Sequence, residues 1–361
     1  MTAIGLGIVG CGGIANVHAD AAMRSGFQLV TCWDSQAERA HALASKHGAA
    51  ASSSLESLLR HPRVDAVTVA VPTDAHAHCA EAVLASNRHL LLEKPMALTV
   101  AECDSICAAA GRSKGRLQMG LVCRSSPAAQ HVMGLVRSGS VGPIDFIQAR
   151  GTRRRGIPGL GGWFTTRSRS GGGCMIDVGV HLIDLALHLA GWPRVLRVSA
   201  CTASRFGSPI EAYRSPEMWG GPPKVDGTFD VEDSAIALLR CAGGLSIEVD
   251  VAWAANIPSG AARDGLLLRG AKAGVHFEIF GAEVRTVADR DGELLDERSP
   301  VLLGQSMSGW DAAWDAQYRR FGDVVRGVSE PAATAADGLE LQRIIAAIYE
   351  SAALGRETEV R

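Results

Sequence analysis

The 361-residue sequence predicts an α/β protein built as two domains. Residues 1–122 read as a doubly wound parallel sheet, and residues 123–361 as an α+β domain with a large, mostly antiparallel sheet. Three observations carry this reading. Short apolar runs alternate with helical segments over the first third of the chain, the pattern of strands joined by crossover helices. Near residue 123 the alternation gives way to strand-like segments, some separated by short glycine-containing turns. At 37.8 kDa the chain is also long enough for two substantial cores.

The first strand is the apolar run Ile4–Val9, followed by Gly10-Cys11-Gly12-Gly13-Ile14-Ala15 and a helix expected over 16–25. Phe27–Trp33 is a second strand, ending on Asp34. Segments 36–47 and 55–59 read as helices, 64–70 as a strand stopped by Val71-Pro72-Thr73, and 75–86 as a helix. Residues 89–92 form a strand that ends in Glu93-Lys94-Pro95. A helix over 99–112 takes Thr99 as its cap, and a strand over 116–121 closes the sheet. In the second half, 127–138 is helical and 144–154 extended. Segment 175–190 is apolar nearly all round, which marks a buried helix. Strands are expected at 195–202, 228–240, 245–253, 265–269 and 275–279, then helices at 310–325 and 338–353 that could pack back on the first domain.

The glycine loop carries the clearest chemistry. Strand, G-x-G-x-x-(G/A), helix and second strand occur in register, with the acid Asp34 22 residues after Gly12. Gly10 permits a tight turn, Gly12 lets the backbone approach a pyrophosphate, and small Ala15 lets the helix pack close on the strand. With Gly13 and Ile14, the N–H groups of the helix start face the anion. Asp34 would accept hydrogen bonds from ribose hydroxyls and repel a 2′-phosphate, so NAD is favoured over NADP. This is the Rossmann arrangement. In such sheets ligands bind beyond the carboxyl ends of the strands, which places Pro72, Thr73, Glu93 and Lys94 on the same edge as the loop.

Bulk properties exclude other classes. A net charge of −2 and a pI near 6.6 give no footprint for nucleic acid or a membrane surface. No apolar run is expected to reach the ~18 residues of a membrane span, and no leader is visible. Nine cysteines without a C-x-x-C pair point to reduced thiols, buried as small apolar residues, and to a cytoplasmic setting.

In the buried helix, Asp177, His181, Asp184 and His188 fall at i, i+4, i+7 and i+11, one stripe. Buried polar groups must be satisfied or used, and the pattern leaves both readings open. No cysteine pair or carboxylate triad accompanies the stripe, so no metal site is assigned. Lys94 sits at the end of a central strand, where a nicotinamide would lie. The alternative is an ordinary surface lysine in a strand-to-helix loop.

Together and in order, Gly10-Cys11-Gly12-Gly13-Ile14-Ala15, Pro72-Thr73-Asp74-Ala75-His76, Glu93-Lys94-Pro95 and Gly171-Gly172-Gly173…Asp177-x-Gly179-x-His181-x-x-Asp184 resemble the glucose–fructose oxidoreductase/inositol dehydrogenase/rhizopine catabolism (Gfo/Idh/MocA) family. Val231-Glu232-Asp233 fits the same pattern. The resemblance implies a C-terminal domain with an open sheet that mediates homodimer or homotetramer contacts. It also implies catalytic roles for Lys94, Asp177 and His181. By the same resemblance His76 lies near the cofactor, and Trp163 beside it, although Phe164 stands where the family often has arginine. Arg124 matches a position that faces substrate. Asp184 and His188 are assigned to structure, and Arg153-Arg154-Arg155 read as a solvated strand end, with contact to an acidic or phosphorylated substrate as the alternative.

The expected activity is hydride transfer between NAD and a secondary hydroxyl of a sugar, cyclitol or sugar derivative. Two alternatives stand beside it: redox-assisted glycoside cleavage on captive NAD, and a non-catalytic dinucleotide-binding regulator. The latter is disfavoured because both Lys94 and His181 are present.

Overall fold

The computed structural model describes residues 3–214, 218–261, 263–304 and 308–361. The chain divides into two compact units. The first holds Met1–Val122 with Trp314–Gln342, and the second holds Cys123–Ala313 with Arg343–Arg361. The division falls inside the two C-terminal helices, Gly309–Val325 and Ala335–Leu354.

The first unit contains six parallel strands: β1 (Ile4–Val9), β2 (Phe27–Trp33), β3 (Ala50–Ala51), β4 (Ala66–Val69), β5 (His89–Glu93) and β6 (Leu117–Gly120). Their order is β3-β2-β1-β4-β5-β6, the doubly wound arrangement the alternation predicts. Every residue of β1 and β4 is buried, as helices on both faces of a parallel sheet require. The order reverses between β1 and β4, the point of such a sheet at which ligands bind beyond the strands' carboxyl ends. The glycine loop follows β1, Pro72 follows β4, and Lys94 follows β5. Thr99 caps the helix Val100–Arg112 as expected, and Glu102 returns the bond to the Thr99 N–H at 2.9 Å. The first helix covers Gly13–Arg24 and so begins within the glycine loop, three residues before the pattern indicated. From the C-terminal segment, Phe321 stacks on Phe27 and Tyr318 is wholly buried.

Among the described residues the second unit adds nine strands, β7 (Ile144–Thr152), β8 (Val195–Ala203), β9 (Ser234–Cys241), β10 (Ser246–Ala252), β11 (Gly265–Gly270), β12 (Ala273–Phe277), β13 (Glu283–Arg290), β14 (Glu293–Pro300) and β15 (Thr358–Glu359). They run β14-β13-β12-β11-β7-β10-β9-β8-β15, antiparallel except for β7 with β10. The helix Val180–Leu189 packs on β7 and β10, with Gly151 of β7 making room for Val178 and Leu182. On β9, Ala235, Ala237, Leu239 and Cys241 turn inward while Ile236 and Leu238 stay exposed, the period-2 signature of a one-sided sheet.

Three expectations need correction. The strand placed at 228–240 begins only at Ser234, because Glu232 and Asp233 turn their carboxylates inward onto backbone N–H groups. The β13–β14 hairpin was missed, since β14 is exposed almost throughout and carries no apolar alternation. The helical run Arg167–Leu189 does reach membrane-span length and hydropathy, yet 78% of its most apolar 18-residue stretch is buried in the protein, which accounts for its composition. Seven of the nine cysteines are buried, and Cys201 is exposed. Burial raises the thiols of Cys79 and Cys241 to about 11.

Candidate active site

The first unit assembles one set of residues at its strand ends. Gly10 adopts φ +90°, and a Cβ there would collide with the Ala70 backbone, so the turn itself demands glycine. Gly12 is different: a Cβ on it would meet no protein atom within 4 Å. Gly12 is the N-cap of helix Gly13–Arg24, with no side-chain cap and no acid in the first turn. The N–H groups of Gly13 and Ile14, at the helix start, have no intrahelical partner, and the space beside Gly12 is open, as a bound pyrophosphate requires. Asp34, at the end of β2, is held by the N–H of Cys11 at 2.7 Å and of Gln36 at 2.8 Å. Those bonds orient the carboxylate and leave lone pairs for a ribose. These residues fit a dinucleotide.

Pro72 and Thr73 form a short turn after β4, with Thr73 buried. His76, expected as a cofactor contact, has another role. Its ring is buried, with Nδ1 2.7 Å from the Pro95 carbonyl oxygen and Nε2 3.0 Å from that of Val71. Burial lowers its pKa, against the two carbonyls that favour the charged form. His76 braces the loop after β4 to the loop after β5. Glu93 is likewise engaged within the protein: one oxygen accepts from His18 and the other from the Lys94 N–H. Lys94 itself is partly exposed at the end of β5.

In the second unit, Gly171-Gly172-Gly173 leads into Met175–Gly179, a π turn, and then the helix Val180–Leu189. A widened turn of this kind is frequent at functional sites. Glu232 fills the start of this helix: it accepts from Gly173 and Met175 N–H, each at 3.0 Å, and from the Tyr349 hydroxyl at 2.8 Å. Asp177, in the π turn, accepts a 2.9 Å bond from the indole N–H of Trp253, a side chain with no exposure. Asp177 and His181 lie one turn apart and are both partly exposed. Asp184, a turn further on, is fully buried.

Asp184 also explains Arg124, expected to face substrate. The Arg124 guanidinium is 3% exposed, with Nε 3.0 Å from both Asp184 oxygens and Nη2 2.6 Å from Oδ1, and it stacks over Trp192. A buried charge pair of this kind stays intact because losing either partner strands the other. Arg124 is thus a structural residue. Trp163 stacks on Phe164 at 3.8 Å between centroids. Sequence reasoning missed Trp253, His18 and Tyr318. Each makes its contact across a long stretch of chain, and none sits in a spaced motif.

Comparison with known proteins agrees with this architecture. Residues 4–121 match the GFO/IDH/MocA oxidoreductase family with its NAD-binding Rossmann fold, and residues 129–285 match the GFO/IDH/MocA C-terminal domain. The D-glucoside 3-dehydrogenase of Escherichia coli K12 is 29% identical, the alignment covering 98% of this chain and 96% of that protein. The 1,5-anhydro-D-fructose reductase of Ensifer adhaerens is 25% identical over 98% of both chains. Among solved structures, an oxidoreductase domain protein from Kribbella flavida superposes with a TM-score of 0.85 at 23% identity over the full length of both. Levoglucosan dehydrogenase in complex with NADH gives 0.84 at 20% identity, covering 99% of each chain. With both domains matched, the chain belongs to the Gfo/Idh/MocA family of oxidoreductases.

Proposed function

We propose that this protein is an NAD-dependent dehydrogenase acting on a secondary hydroxyl of a sugar, cyclitol or sugar derivative. The observation that carries the proposal is the Gly12 cradle, open at a bare helix N-terminus and flanked by Asp34, in a chain that also holds Lys94 and the Asp177–His181 turn. The named activities of two full-length relatives, the glucoside dehydrogenase and the anhydrofructose reductase, support the substrate class.

The roles follow from chemistry. His181 takes the proton of the substrate hydroxyl as general base. Lys94 donates a hydrogen bond to the same oxygen and stabilises the charge that develops there. Asp177, steadied by Trp253, orients the imidazole or an adjacent hydroxyl. When bound, the nicotinamide supplies the hydride acceptor. The negative charge of Asp34 favours NAD over NADP. The same reading includes a cytoplasmic homodimer or homotetramer.

The test follows absorbance at ~340 nm with NAD and then NADP against sugars, cyclitols and glycosides. Reduction of NAD by one stereochemical group of polyols is the expected result. Release of a sugar from a glycoside without net reduction would move the function to redox-assisted cleavage. Lys94→Ala should lower turnover at least ~100-fold while NAD binding is retained.

A further inference from the structure

Behind Lys94, within the first unit, runs a line of buried polar groups that no motif announces. The Thr68 hydroxyl lies 2.9 Å from the Tyr318 hydroxyl, and that hydroxyl lies 2.8 Å from His18 Nδ1. His18 Nε2 is 3.0 Å from Glu93 Oε1, and Glu93 Oε2 accepts the Lys94 backbone N–H at 3.1 Å. Thr68, Tyr318 and His18 are 0% exposed and Glu93 is 7% exposed. Protons can be assigned along this line without conflict. An ionised Glu93 only accepts, so His18 Nε2 carries the N–H. In the tautomer with Nδ1 bare, Nδ1 accepts from the Tyr318 O–H, and the Tyr318 oxygen accepts from the Thr68 O–H. Burial pushes the Tyr318 phenol up and keeps it a donor. One proton occupies each contact and none is left over.

A buried carboxylate this well satisfied could serve stability alone. Its connections argue for more. His18 belongs to the helix whose first turn forms the cofactor cradle, Thr68 to β4, and Tyr318 to the C-terminal helix Gly309–Val325. Glu93 is the last residue of β5, and its grip on the next N–H governs how Lys94 leaves the strand. We infer that His18 is a positioning residue: through Glu93 it sets the direction of Lys94, with Tyr318 and Thr68 holding its ring in one tautomer. The inference rests on the role proposed for Lys94.

The test compares His18→Leu in the native and Lys94→Ala backgrounds. In the native background kcat should fall about 30- to 100-fold, the scale of a small misplacement, with KM for NAD changed less than about 3-fold. In Lys94→Ala the same substitution should cost less than about 3-fold, because its route to chemistry is already gone. Equal losses in both backgrounds would overturn the positioning role and leave that of Lys94 intact. Normal turnover by Lys94→Ala would instead sink the catalytic reading. A second readout needs no turnover: the acylation rate of Lys94 in cofactor-free protein, by mass spectrometry, with Lys46 and Lys114 as internal references. His18→Leu should change the Lys94 rate at least about 5-fold, and an unmoved rate overturns the inference. If His18→Leu does not fold, Tyr318→Phe carries both measurements, with an expected kcat loss of about 3- to 10-fold.

Discussion

Two glycine runs in this protein lead into two helices, and they are built to opposite ends. At Gly10–Gly13 the helix N-terminus is bare: no side chain caps it, no acid lies in its first turn, and a Cβ on Gly12 would touch nothing. At Gly171–Gly173 the corresponding space is full. A Cβ on Gly172 would fall on the Tyr349 hydroxyl, and one on Gly173 on the Glu232 carbonyl oxygen. The Glu232 carboxylate itself takes the Gly173 and Met175 N–H groups. Every helix start offers N–H groups without partners and a positive end of its dipole. The second run answers that demand from within the chain and gains a fixed platform for Asp177 and His181. The first leaves it open, and an open anion site is a ligand site. Glycine spacing alone does not separate the two cases; what fills the space does.

The sharpest break between the two is alanine at each. Gly173→Ala should destabilise the fold by about 3 kcal/mol, because a backbone carbonyl cannot swing aside as a flexible side chain would. Urea unfolding of the purified variant reads this directly, and a loss below about 0.5 kcal/mol would mean the second run is not packed as described. Gly12→Ala should leave stability within about 0.5 kcal/mol, since its φ of −76° suits alanine and no contact is made. Its cost should appear in NAD affinity, weakened about 30-fold, or roughly 2 kcal/mol. Undiminished NAD binding by Gly12→Ala would remove the cradle from the cofactor.

A smaller effect separates Asp34 from the loop it borders. Its carboxylate orders Cys11 and Gln36 and would also meet the ribose. Asp34→Ala should narrow the preference for NAD over NADP about tenfold, roughly 1.4 kcal/mol, measured as the ratio of the two dissociation constants. Equal loss for both cofactors would assign Asp34 to loop geometry alone.

The first unit was legible because its signals are local. A buried parallel strand is a short apolar run, and the glycine loop and Asp34 lie within one βαβ unit. In the second unit the period-2 strands were readable where one face is buried, and β14, exposed almost throughout, was not. The Asp291-Gly292 pair between β13 and β14 was a usable turn signal, and both residues do adopt positive φ. Asp177 and His181 stood out by spacing, but the π turn beneath them leaves no mark in composition. His18 and Tyr318 meet across 300 residues of sequence, so no window along the chain could pair them. Arg124 misled for a similar reason: its partner Asp184 was visible, but not the contact between them.

The finest test of the comparison is electrostatic. Both helix starts attract negative charge, but Glu232 is buried, and burial is the largest influence on it, raising its pKa above the ordinary carboxylate value. The N–H groups and the Tyr349 hydroxyl pull the other way and do not prevail. Between the unfolded value, about 4.3, and the higher folded one, the native protein keeps a proton that the unfolded chain has released. Stability from this group is therefore fully present below the unfolded value, falls as pH rises through the window, and is level above the folded value. Glu232→Gln has no such proton to lose. Its stability relative to the native protein should climb as pH is raised from about 4, read as the difference between urea midpoints in steps to pH 8. A difference that stays flat would mean the helix start compensates the buried charge in full. The filled entrance would then be as good an anion site as the open one, and the two would differ only in where the anion comes from.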